Sequence, residues 1–218
     1  MKKTMCGIAA AALALVAAGS AGAQVCGGFP TTNGQGTIGG LVNFPTDLDQ
    51  YGGEASYNLA GPLAVNAGYL YSRNAADDDA VHVNTFRGGA AFELPPFEGN
   101  FRSTVSVCPS VRADYTSQDG ITLWQVPVGL GVGASVPLGA SGTNLTLHLI
   151  PALYWTRVHV ELDDFPELDG TETDTSFGVR GGFELSFSRF YLGATSEWVD
   201  PSNSQSEAVV GVRAGIRF

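Results

Sequence analysis

The last eleven residues of the chain, 208–218, alternate between two kinds of side chain without interruption. One set is apolar throughout: Ala208, Val210, Val212, Ala214, Ile216 and Phe218. The other set alternates glycine with arginine after an initial valine: Val209, Gly211, Arg213, Gly215 and Arg217. Strict period-two alternation predicts a β-strand whose two faces meet different environments. A chain that ends on such a strand, with an aromatic residue at its terminus, favours an all-β fold.

The same pattern extends over two longer interior segments. In 122–137 the apolar side chains run from Trp124 to Val136 at every second position, and glycines and Gln125 occupy the positions between. The segment 176–187 alternates in the same way. An apolar outer face and a small or polar inner face indicate a closed barrel whose wall is surrounded by lipid. A two-sheet sandwich is the alternative, but its solvent face would carry few glycines.

The first 23 residues have the three parts of a secretory signal peptide. Lys2 and Lys3 form a charged region, 8–18 is apolar, and Ala21-Gly22-Ala23 is a small-x-small cleavage site. The apolar part is shorter than the roughly 20 residues that a membrane-spanning helix needs. We therefore expect cleavage of residues 1–23, which leaves a glycine-rich tail at 24–35 and a barrel domain at 36–218.

Ten candidate strands follow the tail. They lie at about 36–44, 51–60, 63–72, 81–94, 103–115, 122–137, 143–157, 174–187, 189–198 and 206–218. Short turns alternate with longer connections, the longest of which is expected at 158–173. This asymmetry and the even strand number predict a closed antiparallel up-and-down transmembrane β-barrel. Eight strands is the alternative, because 36–44 and 51–60 carry the weakest strand signals.

Charged residues that fall on the inward-facing positions of these strands are balanced in sign. They are Glu54, Arg87, Glu93, Arg112, Asp114, Arg180, Glu184, Glu197, Arg213 and Arg217. A charge held away from water persists only when it is paired. We therefore predict a ladder of arginine–carboxylate contacts that fills the lumen. A narrow passive pore for ions or small solutes is the alternative.

Two of the three cysteines, Cys26 and Cys108, remain after signal cleavage. Cys108 falls on an inward-facing position a few residues from the start of its strand, next to a predicted short turn. A secreted chain folds in a compartment where disulfides form. We predict a Cys26–Cys108 disulfide that ties the tail to that end of the barrel. Two unpaired thiols are the alternative.

Acidic residues collect on the longer connections. They are Asp47, Asp49, Asp77, Asp78, Asp79, Asp119, Glu161, Asp163, Asp164, Glu167, Asp169 and Glu172. Carboxylate oxygens are ligands for Ca²⁺ and Mg²⁺, so these loops are candidates for binding divalent cations. Their spacing matches no EF-hand loop, and a solvated, repulsive surface is the alternative. We expect no defined metal site and no cofactor.

Catalysis and nucleic-acid binding are both disfavoured. The chain has three histidines, His82, His148 and His159, and none lies in a recognisable catalytic motif. An outer-membrane enzyme is kept as the less favoured alternative. After cleavage, nine arginines face 21 acidic residues, a formal charge of −12. Such a chain repels nucleic acid.

The mature chain as a whole resembles the small outer-membrane β-barrel proteins, the class that includes the OmpA and OmpX barrels. The resemblance rests on the strand pattern and on the terminal Phe218, which implies recognition by the barrel assembly machinery. It also implies residence in the outer membrane of a Gram-negative-type bacterium, with outer-membrane lipids as neighbours. We expect a monomer with a structural or surface-interaction role.

Overall fold

Ten long antiparallel strands form the wall of the protein. The computed structural model describes residues 35–45, 48–74, 82–98, 104–118, 120–139, 142–161, 169–200 and 207–218. The strands are β1 (Gly36–Phe44), β2 (Leu48–Ala60), β3 (Leu63–Asn74), β4 (His82–Phe92), β5 (Phe97–Glu98), β6 (Thr104–Gln118), β7 (Ile121–Pro137), β8 (Thr143–Val160), β9 (Gly170–Phe187), β10 (Phe190–Asp200) and β11 (Glu207–Arg217). The two-residue β5 pairs only with the start of β6. The predicted signal peptide, and the predicted tail up to residue 34, lie outside the described residues.

The sheet closes on itself. Each long strand pairs with its neighbours in the chain, β4 pairs with β6, and β1 pairs with β11 along eight residue pairs. The predicted ten-stranded up-and-down barrel is therefore confirmed, and the eight-strand alternative is wrong. No helix within the described ranges is long and apolar enough to cross a membrane.

The last residue of the chain takes part in the closing seam. The Phe218 amide donates to the Gly36 carbonyl at 3.0 Å, and the Gly36 amide donates to the Phe218 carbonyl at 2.9 Å. A Cβ at Gly36 would lie 2.6 Å from the Phe218 ring. Glycine at the first position of β1 thus leaves room for the terminal aromatic ring, which is itself 67% exposed on the outer wall.

The connections define two ends of the barrel. We call the end that carries Gly61-Pro62, 93–103, 138–142 and Ser188-Arg189 the turn end, and the opposite end the loop end. At Ser188 the backbone is left-handed, with φ of 55°, as a two-residue connection between β9 and β10 requires. The short turns and the longer connections predicted from the sequence thus fall at opposite ends of the barrel.

The longest predicted loop is shorter than expected. β8 and β9 pair continuously from Thr143 and Phe187 to Val160 and Gly170, so that much of 158–173 is strand. Threonines at 171, 173 and 175 lie opposite His159, Arg157 and Trp155. β-branched residues favour strands, which explains why the hairpin continues where acidic composition suggested a loop. The remaining residues 162–168 lie outside the described part of the chain.

The outer wall is apolar along its middle. Val128, Leu130, Leu153 and Phe183 are each more than 40% exposed, although they lie near the centres of their strands. Aromatic pairs lie on the outer wall toward the loop end, with Tyr115 and Trp124 ring centroids 4.8 Å apart. Exposed apolar side chains in a belt, with aromatic residues at its edge, are the lipid-facing pattern of a transmembrane barrel.

Charge placed in this belt should destabilise the barrel according to its depth. We expect Leu130→Arg, at mid-strand in β7, to lower the free energy of unfolding in lipid vesicles by about 2–4 kcal/mol. Thr173→Arg, beside the loop end of β9, is the matched control and should cost at most about 1 kcal/mol. Equal effects of the two substitutions in urea titrations would show that the belt does not face hydrocarbon.

The turn half of the lumen is filled by small side chains. Asn58, Ser106, Ser135, Thr146 and Ser186 are each at most 2% exposed. Beside them, Ala64, Ala91 and Cys108 form a buried apolar cluster. Charged side chains occupy both halves of the lumen: Glu184 lies opposite Thr146 in the turn half, and Arg217 lies beside Thr37 at the same end.

Candidate functional site: the charged lumen

Glycines make room for charged side chains inside the barrel. Glu184, Gly193 and Arg213 lie in one row across β9, β10 and β11. A Cβ at Gly193 would lie 2.7 Å from the Phe183 carbonyl oxygen and 3.4 Å from Arg213 Nε. The glycine thus lets the arginine side chain cross β10 to reach the carboxylate two strands away.

The first ion-pair cluster, the Glu184 cluster, is centred on that carboxylate. Arg213 Nη2 lies 2.9 Å from Glu184 Oε2, and Arg217 Nη2 lies 2.5 Å from Oε1. Arg213 Nη1 also lies 3.4 Å from Glu54 Oε1. The Glu184 residue is 1% exposed. Two arginines and two carboxylates therefore balance one another in a setting that excludes water.

Tyr191 borders the Glu184 cluster. The Arg213 guanidinium carbon lies 5.9 Å from the centroid of its ring, at cation–π distance. The sequence analysis did not include this residue, although its inward position on β10 follows from the same alternation that placed Glu197.

The second cluster, the Arg112 cluster, lies nearer the loop end. Arg112 Nη2 is 2.9 Å from Asp114 Oδ2 and 2.9 Å from Glu197 Oε1. The Tyr154 hydroxyl donates to the same Glu197 oxygen at 2.7 Å. Arg87 Nε lies 3.8 Å from Asp114 Oδ1. Because Arg112 is on β6 and Glu197 is on β10, with three strands between them on the shorter way round, this bond crosses the lumen.

Two of the ten predicted lumen charges stand apart from both clusters. Glu93 follows the end of β4 and accepts a hydrogen bond from the Ser106 hydroxyl at 2.5 Å. Burial raises the pKa of the Glu93 carboxyl, and the Ser106 bond acts in the opposite direction. Arg180 faces the lumen but has no carboxylate oxygen within 4 Å among the described residues. The other eight charges form two separate clusters, whereas the sequence suggested one continuous ladder.

Cys108 lies in the turn half of the lumen and is 1% exposed. It belongs to the apolar cluster with Ala64 and Ala91. Its predicted partner, Cys26, lies outside the described residues, so the disulfide stays a prediction.

The loop end carries the other predicted candidates. Of the acidic residues, the described ones are Asp49, Glu161, Asp169 and Glu172. Asp49 Oδ2 lies 3.4 Å from Arg73 Nη2 in an exposed pair. In the described ranges no three His, Cys, Asp or Glu side chains are grouped so that they could hold a metal ion. The candidate cation ligands Asp47, 77–79, Asp119, Asp163, Asp164 and Glu167 lie outside those ranges.

The histidines at the loop end have hydroxyl partners. The Tyr71 hydroxyl lies 2.5 Å from His82 Nδ1, and the Thr171 hydroxyl lies 2.9 Å from His159 Nδ1. Glu161 lies 3.8 Å from His159 on its other side. The Thr171, His159 and Glu161 side chains are exposed, whereas catalytic hydroxyls are activated in sites that exclude water. We assign these contacts to the rim of the barrel.

A closed barrel with an apolar outer wall and a charged interior defines the structural class of outer-membrane β-barrels. No protein-family model matches the sequence, and no curated protein matches it. The predicted resemblance to small bacterial outer-membrane barrels is confirmed at the level of the fold by a solved structure of LpxR from Salmonella typhimurium. LpxR is 11% identical, with a TM-score of 0.50 over 86% of this chain and 84% of that chain.

Two further structures align over most of the chain. One is the N-terminal β-barrel domain of OprF from Pseudomonas aeruginosa, with 14% identity, a TM-score of 0.38, and coverage of 85% of this chain and 98% of that chain. The other is Ail of Yersinia pestis, solved with the heparin analogue sucrose octasulfate, with 10% identity, a TM-score of 0.32, and coverage of 86% and 100%. At these identities the likeness concerns the fold alone.

Proposed function

We propose that this protein is an outer-membrane barrel with a structural or surface-interaction role, whose lumen is obstructed by its arginine–carboxylate clusters. The observation that carries the proposal is the contact between Arg112 on β6 and Glu197 on β10. It joins two strands that are not neighbours, so it spans the lumen and narrows the path through the barrel.

The energetics of the clusters support obstruction. Removing one partner from a buried ion pair leaves an uncompensated charge, at a cost of about 3–5 kcal/mol. Side-chain motions that would open a path past Arg112 or Glu184 must break such contacts. The small buried side chains of the turn half narrow the same path.

A narrow passive pore is the second candidate. A cavity of about 410 Å³ lies in the lumen and is lined by both clusters. If rearrangement of Arg112 joined this cavity to the turn end, small ions would pass. Conductance separates the two candidates, because an obstructed lumen is silent.

The same proposal includes the partners of the protein. Outer-membrane lipids would contact the apolar belt, and the barrel assembly machinery would recognise Phe218 on the outer wall. We propose a monomer without catalytic activity and without nucleic-acid partners, with a solvated acidic surface at the loops and divalent cations there as the alternative. A Cys26–Cys108 disulfide would fix the tail at the turn end, where Cys108 is buried.

Membrane fractionation of a Gram-negative host that expresses the full chain tests the location. We expect the protein in the outer-membrane fraction, with folded material that shifts in electrophoretic mobility on boiling. Deletion of Phe218 should reduce the amount in that fraction, because the seam and the assembly signal are lost together. Recovery of the intact chain mainly from the soluble fraction would contradict the proposal.

A further inference from the structure

The lumen cavity of about 410 Å³ has a local excess of positive charge. Four arginines, Arg87, Arg112, Arg180 and Arg213, line it together with three carboxylates, Glu54, Asp114 and Glu197. Arg213 and Glu54 belong to the Glu184 cluster, which is internally balanced because Arg213 and Arg217 face Glu54 and Glu184. The residues that line the cavity therefore include one arginine more than carboxylates.

Arg180 is the arginine left without an ion pair in the described part of the lumen. Glu197 lies directly opposite it on β10. However, the Oε1 atom of Glu197 is bound by Arg112 Nη2 and by the Tyr154 hydroxyl, and Oε2 lies 3.5 Å from Arg112 Nη1. The carboxylate is thus oriented toward Arg112, and the Arg180 fork is available to another acceptor.

His148 is the second unusual lining residue. Its side chain faces the lumen at 6% exposure, and neither ring nitrogen has a hydrogen-bond partner among the described residues. It lies opposite Gly182 on β9, where a Cβ would fall 3.0 Å from the His148 Cε1 atom. The glycine thus accommodates the ring. A buried polar ring without a partner costs free energy, and a ligand that accepts its N–H bond would recover it.

Arg180 and His148 are close enough to act on one ligand. Arg180 is two residues from Gly182 along β9, so it is the diagonal neighbour of His148, at a Cα distance of about 7–8 Å. Both side chains line the same cavity. A guanidinium fork binds two oxygens of a planar or tetrahedral oxyanion. An imidazole N–H can donate a further hydrogen bond to one of the oxygens of the same anion.

We propose that this cavity is a binding site for one small oxyanion, of the carboxylate or sulfate class, held by the Arg180 guanidinium and the His148 ring. The bound anion neutralises the excess charge of the cavity lining. The carboxylates that line the cavity do not repel it strongly, because Glu54, Asp114 and Glu197 each already face an arginine. The proposal is independent of whether the lumen conducts, since a blind cavity binds an anion equally well.

Nuclear magnetic resonance of the refolded mature chain, without an affinity tag, tests this directly. The chain has three histidines, so labelling of the histidine rings gives a simple spectrum, and a His148→Phe variant assigns the signal. We expect sodium sulfate and sodium acetate to shift the His148 signal saturably, while His82 and His159 at the rim do not follow. Sodium chloride at matched ionic strength is the control for screening.

Substitutions then test whether the Arg180 guanidinium supplies the positive charge that binds the anion. Arg180→Gln should weaken sulfate binding about tenfold or more, the usual loss for a charge-assisted contact. Arg157→Gln, which removes an exposed charge from β8, should leave the affinity unchanged. Arg180→Lys keeps the positive charge and is therefore the control for a folding defect caused by loss of that charge. It should bind sulfate several-fold more weakly than the wild type. Two results with the wild-type protein would each overturn the proposal. One is a His148 signal that does not shift saturably with sulfate, and the other is an equal shift with chloride at the same ionic strength. Equal affinities of folded wild type and Arg180→Gln would also overturn it.

Discussion

Replacement of Glu184 by glutamine is expected to lower the free energy of unfolding by about 3–5 kcal/mol. Glutamine keeps the size of the side chain but removes the charge that Arg213 and Arg217 contact at 2.9 and 2.5 Å. Glu184 is 1% exposed, so water does not replace the lost interaction. Two arginines would then share the single remaining carboxylate of the cluster, Glu54.

Equilibrium unfolding of the refolded protein in vesicles measures this effect. Asp49→Asn is the matched control, because it removes the same type of charge from the exposed pair with Arg73. Exposed pairs contribute about 0–1 kcal/mol, so the control should change stability little. If Glu184→Gln is as stable as Asp49→Asn, the Glu184 cluster does not hold the barrel together.

Loss of the proposed disulfide is expected to have an effect of similar size. A Cys26–Cys108 bridge closes a long loop of the unfolded chain, and the chain-entropy model gives roughly 4 kcal/mol for such a closure. Cys26→Ser should lower the free energy of unfolding by that amount, while the buried Cys108 position stays unchanged.

Reduction supplies the control for this prediction. The reduced wild-type chain and the Cys26→Ser variant should unfold at the same denaturant concentration, below that of the oxidised wild type. Thiol titration of the unfolded, unreduced mature chain should find no free thiol. Two titratable thiols, or an oxidised chain no more stable than Cys26→Ser, would refute the bridge.

Much of the fold follows from side-chain alternation. Each long strand has a period-two pattern, and a shift by one residue would place its apolar face in the lumen, so the faces are fixed strongly. The ends of the β8–β9 hairpin were harder to predict. Thr171 and Thr173 favour a strand while Asp169 and Glu172 suggest a solvated loop, and the pairing with β8 decides between them.

The lumen is predictable in its members but not in its contacts. Alternation assigns Arg112 and Glu197 to the inside, yet their bond depends on which strands face each other across the closed barrel. Arg180 lies opposite Glu197 on the neighbouring strand, and a sequence argument would pair those two. Arg112 and Tyr154 instead occupy the Glu197 oxygen, because their long side chains reach across the lumen.

Lumen residues outside the arginine–carboxylate set are a second gap in the sequence prediction. His148 and Tyr154 both have inward parity on β8, but a prediction of arginine–carboxylate pairs does not include them. The same alternation, applied to every polar residue and not only to charged ones, predicts both as lumen residues. What no sequence pattern shows is that Glu93 lies beyond the end of β4 and bonds Ser106, away from the cavity that Arg180 lines.

Single-channel recording of the refolded mature protein in a planar bilayer tests the central claim most directly. The account predicts no conductance steps from the oxidised protein, because the Arg112 and Glu184 clusters obstruct the lumen. It also predicts silence after reduction of the cysteines, since these clusters do not depend on the tail. Steady conductance steps from the oxidised wild-type protein would contradict the account and identify the barrel as a narrow pore.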